Sequence, residues 1–175
     1  MIGFSRFIML IGFCVAPLFA SADNNSLIIS NTPQCSLERI THENKPALDD
    51  CLNLAQLGYA QAQFVLGEYW YQGQLIPRDY AQAMKWFEQA SIQGHATAQL
   101  RLGNMFYRGE GVPANSIQAY IVLKMSAING SDEALDQADQ VALQTQRNEL
   151  DIGNQVLAQI FRSYLLELNN QAHTP

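Results

Sequence analysis

The sequence predicts an all-α fold: an α/α solenoid of helix hairpins with atypical capping helices at its ends. Three observations carry this. A 36-residue period recurs without a gap in the middle of the chain, and a fixed period in the 30s marks a stacked array. Each period holds two runs of helix formers with apolar residues at helical spacing, punctuated by Gly and Pro. The 175 residues are 48% apolar and 15% charged, enough apolar surface to offset the entropy of ordering one domain.

The first segment, 1–22, reads MIGFSRFIMLIGFCVAPLFASA, with Arg6 as its single cation, an apolar run from Phe7 to Leu18, and then Ala20-Ser21-Ala22. Charged, apolar and small-residue regions in that order predict a secretory signal peptide cleaved after Ala22. The competing reading is an uncleaved anchor, but the apolar run falls short of the roughly 20 residues that span a bilayer. A lipoprotein centred on Cys14 is disfavoured by the bulky Phe13 before it. Cleavage leaves 175 − 22 = 153 residues and moves the net charge from −6 to −7. The expected site is periplasmic or secreted, with no membrane insertion after cleavage.

Segment 23–45 is turn-rich and mixed, so irregular chain is expected there. It contains Cys35, which with Cys51 would survive processing into an oxidising compartment. A Cys35–Cys51 disulfide is the expectation, with two free buried thiols as the alternative. Zinc is disfavoured, because two cysteines without paired histidines do not fill a tetrahedral shell.

Segment 58–93 aligns with 94–129, and twelve of the 36 positions are identical. They are Gly58/Gly94, Ala60/Ala96, Ala62/Ala98, Gln63/Gln99, Leu66/Leu102, Gly67/Gly103, Tyr71/Tyr107, Gly73/Gly109, Pro77/Pro113, Gln82/Gln118, Ala83/Ala119 and Ile92/Ile128. Ala62, Leu66, Gly67 and Trp70 share one helical side. Gly73 and Gly109 stand where a helix needs a residue tolerant of positive φ to stop. Pro77 and Pro113 keep the next stretch extended. Asp79 and Asn115 then cap a second helix, with Gln82 and Gln118 three residues on, as in a capping box. Ala83, Phe87 and Ala90 form its buried stripe. Glycines 58, 94 and 130 end each second helix at one phase. The small residues let helices approach closely, while Leu66, Trp70, Trp86 and Phe87 fill the space. A hairpin of this kind stacks on a neighbour to bury its second face.

These residues resemble the Sel1-like repeat, a relative of the tetratricopeptide repeat. The resemblance lies in Ala62-Gln63, Leu66-Gly67, Trp70, Gly73, Ile76, Asp79, Ala83, Trp86, Ala90 and Gly94. A second copy carries Ala98-Gln99, Leu102-Gly103, Phe106, the run 108–113 and Ala119, departing from the family at Ile117, Val122 and Ser126. The resemblance implies an α/α solenoid that binds other proteins and is often exported in bacteria.

The flanks read as caps. Segment 46–57 places Ala47, Cys51 and Leu54 one period before Ala83, Phe87 and Ala90, as the second helix of a partial leading repeat. The array is thus expected over 46–130, with repeats at 58–93 and 94–130. Capping helices follow over 131–169. The first starts at Ser131-Asp132-Glu133 and carries Asp139 where the repeats have glycine. The second, 147–169, has an apolar stripe of Leu150, Val156, Leu157, Ile160, Phe161, Tyr164 and Leu165. The tail, 170–175, is expected to fray.

Chemistry is nearly absent. Ten Lys and Arg against sixteen Asp and Glu leave no cationic cluster for nucleic acid or anionic lipid. His42, His95 and His173 have no second ligand at helical spacing and no sequence partner for acid–base work. The common hydrolase signatures do not occur. Gly109 and Gly111 follow a helix, so they form a loop and not a dinucleotide cradle. Acids 132, 133, 136 and 139 read as a solvated face, with a calcium cluster as the alternative. No cofactor, no metal and no enzymatic activity are expected.

What remains is a surface. The first helices of such hairpins line a groove. By helical phase its expected partner-binding residues are Gln61, Phe64, Glu68, Tyr71 and Gln72, then Thr97, Leu100, Asn104, Tyr107 and Arg108. Tyr71 and Tyr107 recur at one phase, and either grip a partner or pack on the adjacent helix. The expected function is a non-enzymatic protein-interaction module of the cell envelope, holding another protein or an extended segment of one. Some relatives are cysteine-rich secreted proteins described as β-lactam-binding or hydrolysing, which supplies the alternative. They carry a cysteine pair within each repeat, and segment 58–129 has no cysteine. The sequence gives no sign of oligomeric state.

Overall fold

Helix boundaries follow directly from the caps. The computed structural model describes residues 35–41 and 43–172, with the side chains of 164 and 167–172 set aside. The expected signal peptide, residues 23–34, His42 and 173–175 lie outside the described residues. Among those described are a short 3₁₀ helix, Leu37–Arg39, and seven α-helices with no strand. They are α1 Lys45–Gln56, α2 Ala60–Gln72, α3 Tyr80–Ile92, α4 Ala96–Arg108, α5 Ser116–Ile128, α6 Asp132–Gln144 and α7 Arg147–Ala172.

Helices α3 and α5 open on Asp79 and Asn115, whose side-chain oxygens accept from the N–H groups of Gln82 and Gln118 at 3.0 and 2.9 Å. Helix α6 opens on Ser131, whose Oγ accepts from Ala134 N–H at 3.3 Å. Helices α1, α3 and α5 close alike. Gly58, Gly94 and Gly130 take φ of 94°, 78° and 100°. The next N–H groups, on Tyr59, His95 and Ser131, reach back to the carbonyls of Leu54, Ala90 and Ser126, each at 3.1 Å. This is the Schellman closure, and its recurrence every 36 residues turns each second helix into the next first helix at the same angle.

From α1 to α6 each helix packs on its chain neighbours, while α2, α4 and α6 also touch in order along one side. The result is an α/α solenoid of helix hairpins. Its core is a row of three apolar clusters, centred on Cys51 and Leu66, on Phe87 and Met105, and on Leu123 and Ala138. Hairpin closure depends on two glycines. A Cβ at Gly67 would lie 2.4 Å from the Phe87 ring, and one at Gly103 would lie 2.7 Å from Leu123 Cγ.

Both ends depart from this pattern for stated reasons. At the start, Cys51 occupies the phase of Phe87 (51 + 36) and Leu123 (87 + 36). Among the described residues it has no first helix before it. Cys35 takes that place and is disulfide-bonded to Cys51, with Cα atoms 4.9 Å apart. At the other end, Asp139 replaces the hairpin glycine and pairs with Lys124 Nζ at 3.0 Å. Helix α7 packs chiefly on α5, where the buried Gly153 lets Tyr120 approach and Asn154 Oδ1 accepts from the Tyr120 hydroxyl at 2.9 Å.

Helix α7 runs on to Ala172, past the expected start of the tail at 170. Asn170, Gln171 and Ala172 offer no helix breaker, and the first one is Pro175. Its apolar stripe is only partly covered. Leu157 is buried, but Ile160 and Phe161 are each 37% exposed and Leu165 is 63% exposed, because α5 ends at Ile128. Among the described residues no helix is long and apolar enough to cross a membrane.

Candidate functional site

The face of α2 and α4 turned away from α3 and α5 is held by contacts between repeats. Glu68 is buried, yet its carboxylate is fully engaged. Oε1 accepts from Arg101 Nε at 2.6 Å and Oε2 accepts from Gln72 Nε2 at 2.7 Å. The guanidinium of Arg101 also stands 5.8 Å from the centre of the Tyr71 ring. The Tyr71 hydroxyl donates to Glu110 Oε2 at 3.0 Å. Burial, reinforced by that carboxylate, pushes the phenol above its ordinary value. One repeat later, the Tyr107 hydroxyl donates to Gln144 Oε1 on α6. Both tyrosines therefore hydrogen-bond into the following repeat.

Of the ten residues placed on this face by phase, Gln61, Thr97 and Arg108 are exposed, while Phe64, Tyr71, Gln72, Asn104 and Tyr107 are half-buried. Two are turned inward: Glu68 at 5% exposure, held by Arg101, and Leu100 at 7%, inside the cluster of Ala119, Tyr120 and Leu123. Phe64, at the same phase as Leu100 (64 + 36), stacks on His95 with ring centres 4.8 Å apart. Leu100 turns inward because α5 packs over it.

Arg101 was missed. It stands one period after the buried Val65 (65 + 36), so the signal was a charge at an apolar repeat position. His95 has a structural role. Its Nδ1 accepts from Ala98 N–H at 3.2 Å, capping α4, and burial lowers its pKa. The identical pair Gln63/Gln99 also gains a meaning. Gln63 Nε2 donates to Ala55 O at 3.1 Å and its Oε1 accepts from Gln93 at 2.7 Å. Gln99 repeats this with Ser91 O at 2.9 Å and Asn129 at 2.8 Å.

Among the described residues no group of three or more His, Cys, Asp or Glu could hold a metal ion. Two of the four acids of α6 are taken up locally: Asp139 by Lys124 and Glu133 by Gln137 Nε2. The arrangement can present a fixed, amide-rich and charged surface.

Fold and face together define a helical-repeat solenoid. Two consecutive stretches, 60–95 and 96–131, match the family model of the Sel1 repeat, so the chain carries two Sel1 repeats. Sel1-repeat proteins generally mediate protein–protein interaction and are typically non-catalytic scaffolds. The structure is similar to that of c5321, a protective antigen present in uropathogenic Escherichia coli strains displaying an SLR fold. Identity is 26% and the TM-score 0.65, over 76% of this chain and 29% of that one, so the chain spans under a third of that protein's length. It is also similar in fold to Helicobacter pylori cysteine rich protein B, at 21% identity and a TM-score of 0.52, over 57% of this chain and 73% of that one. No curated protein matches it.

Proposed function

We propose that this chain is an exported protein-interaction module of the bacterial cell envelope, which holds a partner protein, or an extended segment of one, along the α2–α4 face. The observation that carries the reading is the Glu68–Arg101 pair. It joins the two first helices and holds one face in a fixed geometry, so little ordering entropy is left to lose on binding. Around it Gln61, Thr97, Asn104 and Arg108 offer accessible amide, hydroxyl and guanidinium groups, the kind that pair with peptide backbone and side chains. Export is supported by segment 1–22, by the disulfide and by likeness to an antigen of a pathogenic bacterium.

The test is capture from an envelope fraction with the purified chain as bait. Thr97→Glu combined with Arg108→Glu changes two exposed positions and should abolish capture while leaving the melting temperature in place. Undiminished capture by that variant overturns the assignment of the face. Turnover of a chromogenic β-lactam by the wild-type chain would overturn the non-enzymatic reading.

A further inference from the structure

One group of exposed apolar side chains lies away from the α2–α4 face. Ile160, Phe161 and Leu165 project from α7 at 37%, 37% and 63% exposure, and Ile92 and Ile128, at the ends of α3 and α5, are 85% and 58% exposed. Ile160 and Phe161 overhang a cavity of about 450 Å³ whose opposite wall carries Ile92, Met125 and Ile128. The molecule therefore carries a projecting apolar ridge and, beside it, an apolar groove.

We infer that this ridge and groove pair the chain with a second copy of itself about a two-fold axis. Each copy's distal α7 lies in the other's groove. A two-fold contact uses one patch twice, so it needs a patch complementary to itself, and a ridge beside a groove has that form. The exposed parts of these five side chains amount to on the order of 500 Å² per copy, so mutual burial removes on the order of 1,000 Å² in total, about the least that a specific interface needs. Charge does not oppose the pairing at the contact itself. The chain carries a net −6, but none of the ten residues lining the cavity is charged, so the acidic copies meet through neutral surface. An interface of this small size is reversible and concentration-dependent, and screening of the long-range repulsion tightens it.

Sedimentation equilibrium of the purified chain across a concentration series tests this. The expected result is a reversible dimer that strengthens with salt. Phe161→Glu and Leu165→Glu together should weaken it at least tenfold, with helical content and melting temperature held because both side chains are exposed. Leu143→Glu, on α6 and 88% exposed, should leave it unchanged. A wild-type chain that stays monomeric at the highest concentration overturns the inference. So does a dimer indifferent to the 161/165 variant, or a monomer whose groove instead takes a different protein in a manner sensitive to that variant. The α2–α4 variants offered above do not touch this patch, so the two readings fail separately.

Discussion

The imidazole of His95 joins the second repeat to the first: its Nε2 stands 3.0 Å from Gln61 Oε1. Because Nδ1 accepts the Ala98 N–H, the ring's proton belongs on Nε2, which donates to Gln61. A second proton on the ring abolishes the cap. Burial holds the folded pKa below 6.5, against a smaller opposing backbone hydrogen bond. The unfolded chain therefore takes up a proton first as pH falls. The contribution of His95 to stability is complete above about pH 6.5 and is lost as pH drops from there through the folded value. Melting temperatures measured between about pH 7.5 and pH 5 should fall accordingly. His95→Asn, which keeps a capping side chain, should flatten that part of the curve, and an unchanged slope would refute the assignment.

Gln99 is 1% exposed and bridges two second helices. Replacement by Leu keeps the size but strips Ser91 O and the Asn129 amide of a partner, a cost of about 1–2 kcal/mol. Gln63→Leu should cost a similar amount for the same reason. Urea unfolding should show both as a lower midpoint at constant slope.

Close approach at Gly67 leaves no room for a methyl group, since Phe87 is fully buried and cannot retreat. Gly67→Ala should destabilise the chain by about 2–3 kcal/mol. Adding Phe87→Leu should recover part of that loss, because it removes the ring edge that stands 2.4 Å from the added methyl. A double-mutant cycle showing strict additivity would mean that the two positions do not press on each other.

The Cys35–Cys51 link closes a loop with a sequence separation of 16. Removing it with a reductant, or by Cys35→Ala, should cost about 3 kcal/mol. Calorimetry with and without reductant would measure it, and Cys35→Ala should remove the reductant effect.

Much of this fold is legible in the sequence because the repeat states its own rules. Asp79, Asn115, Gly73, Gly109 and the three turn glycines are each the residue type that its backbone position requires, and identity at a 36-residue offset fixes their register. The interaction face was less legible. Helical phase alone cannot say how far the next helix wraps around a stripe, so Leu100 faced outward on paper and inward in space. Arg101 is not legible from likeness between copies, because its value lies in a difference between them: Val65 stands at its phase in the first repeat. The purpose of Gln63 and Gln99 also stayed hidden, since a buried amide is defined by carbonyls that only the folded chain brings near.

Asp139 has a consequence for how such a chain could grow. A hairpin closes where its first helix has no side chain in the way, as at Gly67 and Gly103, and at 139 an exposed carboxylate stands in the glycine's place and pairs with Lys124 instead. Duplicating the unit after α6 would therefore copy a doorstop along with it. New repeats can be spliced in upstream, between Schellman turns of matching phase, and the array lengthens from within while its terminus stays as it is.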